Sequence, residues 1–319
     1  MSELIALTGA TGFVGTELAK QLASTGYRIQ ALVRPASSWK RPTGLAVKWI
    51  QGDLADLDSL HRLVDGATAV IHCAGAVRGA TREQFNRVNA DGLARLVRAA
   101  SAQQPAPRFL LISSLAAREP HLSHYAASKR LGEKVLVEKS DRLPWTIYRP
   151  CAIYGPGDKE LLPVFEWMAR GIAPILGSGH GRFSLLYVKD LTGAIVQWLG
   201  CNGCTSGTFE VHDGHPGGYS WHDVVSTFKH LRRKPVISIK IPMFLVRLVS
   251  ALNLLASRTF GYAPMLTPGK VRELSHSDWV CDNAALSGVT GWAPRVLLPE
   301  GLQKTLDRAL TQMNQGVME

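Results

Sequence analysis

The chain has 319 residues, 46% hydrophobic and 19% charged, so it can bury a sizeable core and does not have the composition of a disordered or fibrous chain. Its 36 Lys and Arg against 25 Asp and Glu leave a formal charge of +11, which suits acidic small ligands or acidic surfaces; no nucleic-acid partner is expected. Five cysteines (Cys73, Cys151, Cys201, Cys204, Cys281) make no disulfide framework in so long a chain. No apolar run is expected to reach the roughly 18 residues of a membrane span, and the N-terminus reads as a strand and turn, not a signal peptide. A soluble, cytoplasmic protein is the expectation.

The first half alternates short, apolar, β-branched segments with stretches of helix length. Strands are expected at 3–8 (ELIALT), 27–33 (YRIQALV), 46–50 (AVKWI), 68–73 (TAVIHC), 108–113 (RFLLIS) and 144–149 (PWTIYR). This rhythm predicts a Rossmann-type, doubly wound α/β domain over 1–150, its parallel sheet covered by helices on both faces. After Pro150 glycine and proline become frequent. A smaller, mixed α/β substrate lobe is expected over 151–319, some of its segments returning to the first domain, with a short strand at 208–211 and helices near 188–199, 220–231 and 300–313.

The first strand runs into TGATGFVG, which spaces Gly9, Gly12 and Gly15 three apart where a helix begins. Gly9 would permit the tight turn, Gly12 would let a pyrophosphate approach the backbone, and Gly15 would let helix and strand pack closely. The free N–H groups and positive dipole end of that helix attract phosphate. After the second strand comes VRPASSWKR, with Arg34, Lys40 and Arg41 and no carboxylate. An acidic residue there would bind the ribose 2′-hydroxyl of NAD, whereas a cation accommodates the 2′-phosphate of NADP. NADP is therefore expected, with NAD as the alternative. GDL after the third strand offers Asp53 to the adenine amino group, and HCAGA after the fourth has small residues where a backbone must pass close to the cofactor.

HLSHYAASKRLGE places Tyr125 and Lys129 on one face of a helix. With the pieces above, Asn89 in VNADG, ISS at 112–114 and YRPCAIYGPGD at 148–158, it makes the chain resemble the extended short-chain dehydrogenase/reductase superfamily, which includes NAD(P)-dependent epimerases and dehydratases. LLYVKDLTGAIVQWL (185–199) and GWAPRVLLPEGLQKTL (291–306) extend the likeness along nearly the whole chain. The resemblance implies a catalytic Ser114, Tyr125 and Lys129, with Asn89 propping the active-site helix. It also implies a cofactor lined by Gly9, Thr11, Gly12, Phe13, Val14, Gly15, Arg34, Asp53, Leu54, Cys73, Ala74, Gly75, Tyr125, Lys129, Pro150 and Ile153. Tyr125 would exchange a proton with the substrate. An isolated phenol has pKa ~10, so Lys129 would supply the charge that stabilises phenolate. This chemistry needs no metal, and CNGC with His212 and His215 reads as surface turns in preference to zinc ligands.

Family dehydratases that make 4-keto-6-deoxy sugars carry an Asp–Glu pair directly after the catalytic Ser/Thr. Leu115 and Ala116 stand there in this chain and transfer no protons. Only ten residues, Leu115 to His124, separate Ser114 from Tyr125. The expected activity is an NAD(P)-dependent oxidoreductase interconverting a secondary alcohol and a ketone. A nucleotide-sugar 4-epimerase with tightly bound NAD is the alternative, and a cofactor-binding regulatory or assembly protein without turnover is the alternative of another class.

From Val224 to Arg272 there are nine basic residues and no Asp or Glu. Inside this stretch IPMFLVRLVSALNLLASR confines its polar positions Arg247, Ser250, Asn253 and Ser257 to one helical stripe. Such a helix is buried, lines an apolar pocket or rests on a membrane surface. The substrate expected from this lobe is a small apolar molecule bearing an anionic group, with Arg182 in GSGHGR as a candidate contact. Peripheral membrane contact and a homodimer are the partner readings that go with it.

Overall fold

The computed structural model describes residues 3–316 apart from 141–142, 178 and 202–205. Six strands, β1 (Leu4–Thr8), β2 (Arg28–Val33), β3 (Val47–Gln51), β4 (Ala69–His72), β5 (Arg108–Ile112) and β6 (Trp145–Pro150), stand where the alternation predicts them. Between them run α1 (Phe13–Ser24), α2 (Leu57–Val64), α3 (Arg82–Asn86), α4 (Leu93–Ser101) and α5 (His124–Lys139), with a π-helical turn over Arg87–Gly92. The remainder continues as β7 (Ala152–Tyr154), α6 (Leu162–Ala169), β8 (Ile172–Leu176), β9 (Arg182–Phe183), β10 (Leu185–Tyr187) and α7 (Val188–Gly200). There follow β11 (Gly207–Val211), β12 (Tyr219–Ser220), α8 (Trp221–Arg232), β13 (Ile237–Ile241) and α9 (Met243–Phe260). The chain closes with α10 (Pro268–Ser275), β14 (Asp278–Trp279), α11 (Ala284–Thr290) and α12 (Leu298–Gly316).

The main sheet has seven strands in the order β11-β6-β5-β4-β1-β2-β3, and every pair in it is parallel. The seventh strand, β11, comes from the second half of the chain and extends the sheet beside β6. Strand order reverses between β1 and β4. At such a switch point the loops leaving the two strands diverge and open a crevice at the carboxyl edge.

Strands buried on both faces need an apolar layer on each side. On one face Leu18 and Leu22 of α1 pack with Leu191 and Trp198 of α7 over Ile5 and Leu7. On the other, Leu60 of α2, Leu96 of α4 and Leu136 of α5 close over Val70 and Phe109. A third core, built from Phe165, Tyr187, Phe228 and Leu302, belongs to the later elements.

Helix α5 crosses the π-helical turn at one point of very close approach. A Cβ on Gly132 would lie 2.3 Å from the carbonyl oxygen of Asn89, so only glycine lets the two backbones meet. Gly132→Ala is expected to cost about 1–3 kcal/mol in chemical denaturation, the range for overpacking a buried contact. Unchanged stability would show that the crossing relaxes freely.

Candidate active site

The carboxyl edge of the sheet gathers the residues that the sequence singles out. At the end of β1, Thr8 Oγ1 hydrogen-bonds the buried His72 Nδ1 at 2.7 Å and accepts from the Ala74 N–H at 3.3 Å, tying β1 to the loop after β4. Burial, helped by the charge of Lys129, pushes His72 down to about 3, so this imidazole is neutral.

Gly9 sits at φ +74, and a Cβ there would lie 2.6 Å from Ala74 N. A Cβ on Gly15 would lie 2.1 Å from Gly9 O. Gly12 meets only Gly9 O, at 3.2 Å, and is exposed at the mouth of the turn. It caps α1 with an extended backbone and no side-chain bond, and the first turn of α1 carries no acid. The first N–H groups of α1 are thus left for an anion. Thr11 and Phe13 flank this opening half-buried, and Val14 packs into the core beneath it.

Beyond β2, Arg34 is exposed and forms no ion pair with a described carboxylate. It begins a 3-10 turn over Pro35–Lys40 in which Lys40 lies 4.9 Å from the centre of the Trp39 ring. Asp53 closes its own turn: Oδ1 accepts from the Ala55 N–H at 2.9 Å, so one carboxylate oxygen is already engaged. Leu54 is half-buried against Gly92. After β4, burial pushes the Cys73 thiol up to about 12 against the opposing charge of Lys129, which makes it a neutral lining group. Ala74 and Gly75 pass close by, a Cβ on Gly75 lying 3.7 Å from Lys129 Nζ. Pro150 ends β6 opposite Val211, and Ile153 lies next door in β7. A glycine cradle that any Cβ would fill, an uncapped helix start and an unopposed cation after β2 fit a nicotinamide dinucleotide.

The catalytic candidates converge on the same edge. Ser114 has an extended backbone (φ −159) and starts the 3-10 turn Leu115–Arg118, its hydroxyl accepting from the Ala116 N–H at 3.2 Å. The same hydroxyl acts on the Tyr125 phenol and lowers its pKa. Tyr125 lies in the first turn of α5, whose N-cap Ser123 accepts from the Ala126 N–H at 2.9 Å. Lys129 follows one turn later, buried, with Nζ donating to Ile112 O at 2.8 Å.

The electrostatics differ from the sequence expectation. Burial pushes the Tyr125 phenol up to about 12; the Ser114 hydrogen bond opposes this and the charge of Glu273 adds to it. Burial also pulls Lys129 down to about 8, against the raising effects of Glu133 and Cys73. The ammonium engages the Ile112 carbonyl, and Tyr125 is held as the protonated phenol.

Asn89 sits buried in the π-helical turn. Its Oδ1 accepts from the Ala76 N–H at 2.8 Å, and its Nδ2 donates to Ala76 O at 3.0 Å and to Ser128 Oγ at 2.9 Å. It thereby fixes the loop after β4 to the helix bearing Tyr125 and Lys129.

Two carboxylates of this site escape sequence reasoning. Glu133, on the buried face of α5, accepts from Ser113 Oγ at 2.6 Å, Arg149 Nε at 2.8 Å and Arg149 Nη2 at 2.6 Å. Glu273 of α10 is buried against the Ser123 hydroxyl and pairs with Lys270 Nζ at 2.9 Å. A spacing of four after Lys129 was the available signal for Glu133; nothing local marks Glu273. Arg182 is not free for an anion, since it donates to Gly217 O at 2.6 Å and Gly218 O at 2.8 Å. Cys201 is disulfide-bonded, which removes that thiol from any zinc set, and Cys204 lies outside the described residues.

Glu133→Ala is expected to lose about 3–5 kcal/mol in urea denaturation, because it leaves the largely buried Arg149 guanidinium without its counter-charge. A loss below about 1 kcal/mol, the worth of an exposed pair, would contradict the placement of this pair.

Comparison with known proteins identifies the family. Residues 5–203 match the NAD dependent epimerase/dehydratase family. The chain is 38% identical over 307 residues to a ceramide reductase from Caulobacter vibrioides, covering 95% of this chain and 93% of that one. It is 26% identical to a UDP-glucose 4-epimerase from Vibrio cholerae, covering 98% of each. The solved structure of MoeE5 in complex with UDP-glucuronic acid and NAD shares the fold, with a TM-score of 0.75 at 20% identity over 98% of this chain and 100% of that one. The chain therefore belongs to the NAD dependent epimerase/dehydratase family of extended short-chain dehydrogenase/reductases.

Proposed function

We propose that the protein is an NADP(H)-dependent reductase that interconverts a ketone and a secondary alcohol on a long-chain, lipid-like substrate. The observation that carries the reading is the placement of Tyr125 and Lys129 on α5 at the sheet edge that bears Ser114, with Leu115 and Ala116 where a dehydratase needs an acid and a base. Similarity along almost its full length to a ceramide reductase supports a lipid substrate. The unopposed Arg34 and the absence of a carboxylate after β2 support the phosphorylated cofactor.

The bound nicotinamide would supply the hydride. In reduction Tyr125 acts as the acid: its pKa of about 12 keeps the proton on the phenol at neutral pH, ready for the carbonyl oxygen. Ser114 Oγ, which acts on the phenol, donates a hydrogen bond to the same oxygen. Lys129 stays charged below about 8 and favours the phenolate that forms as the proton leaves. Asn89 holds the helix and the loop after β4 in register. Leu115 and Ala116 directly after Ser114 supply no acid or base for water elimination, which favours chemistry at one carbon.

Tyr125→Phe is expected to lower ketone reduction by about 10²- to 10⁴-fold while cofactor binding, read by NADPH fluorescence, persists. Full turnover in that variant would sink the mechanism. For pH, the required charged form of Lys129 is complete below about 8 and is lost above it, while Tyr125 stays protonated throughout. The kcat/KM for reduction is therefore level at neutral pH and falls as pH rises past about 8; a rise across that window would contradict the assignment. Arg34→Ser is expected to raise the KM for NADPH roughly tenfold and leave that for NADH nearly unchanged. Equal effects on both cofactors would remove Arg34 from the 2′-phosphate site.

A further inference from the structure

Helix α9 is turned inside out for a helix at a water-exposed surface. The uncharged part of its polar stripe faces the protein while Arg247 stays exposed: Ser250 is 0% and Ser257 3% exposed, and Val246 is buried beside them. Phe244, Leu248, Leu252 and Leu255, spaced by four, four and three, form an outward ridge at 67%, 55%, 57% and 62% exposure. The inward polar groups need no water. Ser250 Oγ donates to Arg247 O at 2.8 Å, Ser257 Oγ to Leu254 O at 2.7 Å, and Asn253 Nδ2 to Leu266 O at 2.8 Å. Neighbouring Ile237 and Ile239 of β13 are exposed as well. A contiguous apolar surface of this kind marks an interaction site.

Charge identifies the occupant. Lys229, Arg233, Lys234, Lys240, Arg247 and Arg258 are exposed and form no ion pair with a described carboxylate. At 100° per residue Arg247 and Arg258 fall together along one border of the ridge, where long cationic side chains can reach past an apolar face. A second copy meeting this face would set two uncompensated cationic fields against each other. An anionic bilayer complements both the ridge and its cations. By length and composition α9, with a hydropathy of 1.3, could cross a membrane, contrary to the expectation that no run is long enough. Its inward stripe, the Asn253–Leu266 bond and its packing on α10 hold it flat on the protein instead.

We propose that the protein docks on an anionic lipid bilayer with α9 lying in the interfacial plane, its Phe244–Leu255 ridge among the acyl chains and its cations among the headgroups. The segment after α9 leads directly to the rim of the active site. Pro264 O accepts from the Gly79 N–H at 3.2 Å, Arg272 Nε donates to Leu122 O at 2.7 Å, and Glu273 meets the N-cap Ser123 of the catalytic helix. A lipid ketone would pass from the bilayer to Tyr125 along this stretch; that use rests on the proposed reductase reading, whereas the docking does not.

The test is co-sedimentation of the full chain with vesicles of phosphatidylglycerol and phosphatidylcholine, and of phosphatidylcholine alone, at about 50 mM and about 500 mM salt. The wild type is expected to bind the anionic vesicles at low salt and to lose at least about tenfold in binding at high salt or on phosphatidylcholine alone. Leu248→Glu/Leu252→Glu, both exposed, is expected to abolish binding while thermal unfolding and turnover of a short, water-soluble ketone stay unchanged. Failure of the wild type to bind, or undiminished binding by the double variant, overturns the proposal. So does a wild-type dimer in light scattering that this variant dissociates, since a second copy would then occupy the face. Vesicle binding without turnover of any ketone keeps the docking and removes the reductase reading.

Discussion

The Glu133 carboxylate lies on the buried side of α5, and three side chains are fastened to it. Ser113 reaches it from the end of β5, Arg149 from β6, and Arg130 from one turn earlier in α5, at 3.2 Å. An isolated buried carboxylate is very costly, and it is tolerated here because a guanidinium and a hydroxyl replace the lost water. The consequence is geometric. Tyr125, Lys129 and Glu133 are spaced by four along α5 and share one face, so fixing Glu133 against β5 and β6 fixes the rotation of the helix about its axis. The Gly132–Asn89 crossing then sets its height over the π-helical turn.

Two adjacent serines divide the work that this arrangement requires. Extended backbone sends neighbouring side chains to opposite sides. Ser113 therefore turns to Glu133 while Ser114 turns to the side of Tyr125, one anchoring the helix and the other acting on the phenol. The same burial drives the phenol up and the ammonium down, which keeps the phenol neutral while the ammonium stays charged until pH passes about 8. Glu133 limits the second effect by raising Lys129 from the protein side. Structural anchor and electrostatic support are thus one carboxylate.

What could be read from the sequence was whatever is local. Strand rhythm, the Gly9-Gly12-Gly15 turn and the four-residue step from Tyr125 to Lys129 depend on short-range periodicity and steric need, and the fold follows them. Pairings across long separations could not be read. Ser123 meets Glu273 150 residues away, and nothing near Glu273 distinguishes it from a surface acid. The addition of β11 to the sheet, the use of Asp53 in its own turn and the engagement of Arg182 by Gly217 and Gly218 are decided by tertiary context. For α9 the periodicity revealed a polar stripe but not which side of the helix meets the protein.

That ambiguity has a physical root. Serine and asparagine can satisfy their polar groups on a helix's own carbonyls or on a neighbouring loop, so a short polar stripe packs inward without water. Once Ser250, Asn253 and Ser257 do so, the leucines of α9 have only the outside left to them. The stretch around the helix carries no acid, and its exposed cations take no part in described ion pairs, so their charge is not required by the fold. The first carboxylate beyond the stretch, Glu273, is turned inward to Ser123 and Lys270 and leaves the outer field unopposed. An outward apolar ridge bordered by uncompensated cations is unfavourable in water alone. It is the arrangement that an acidic, apolar-cored surface would relieve, and the chain that leaves it supplies Arg272 and Glu273 to the start of α5.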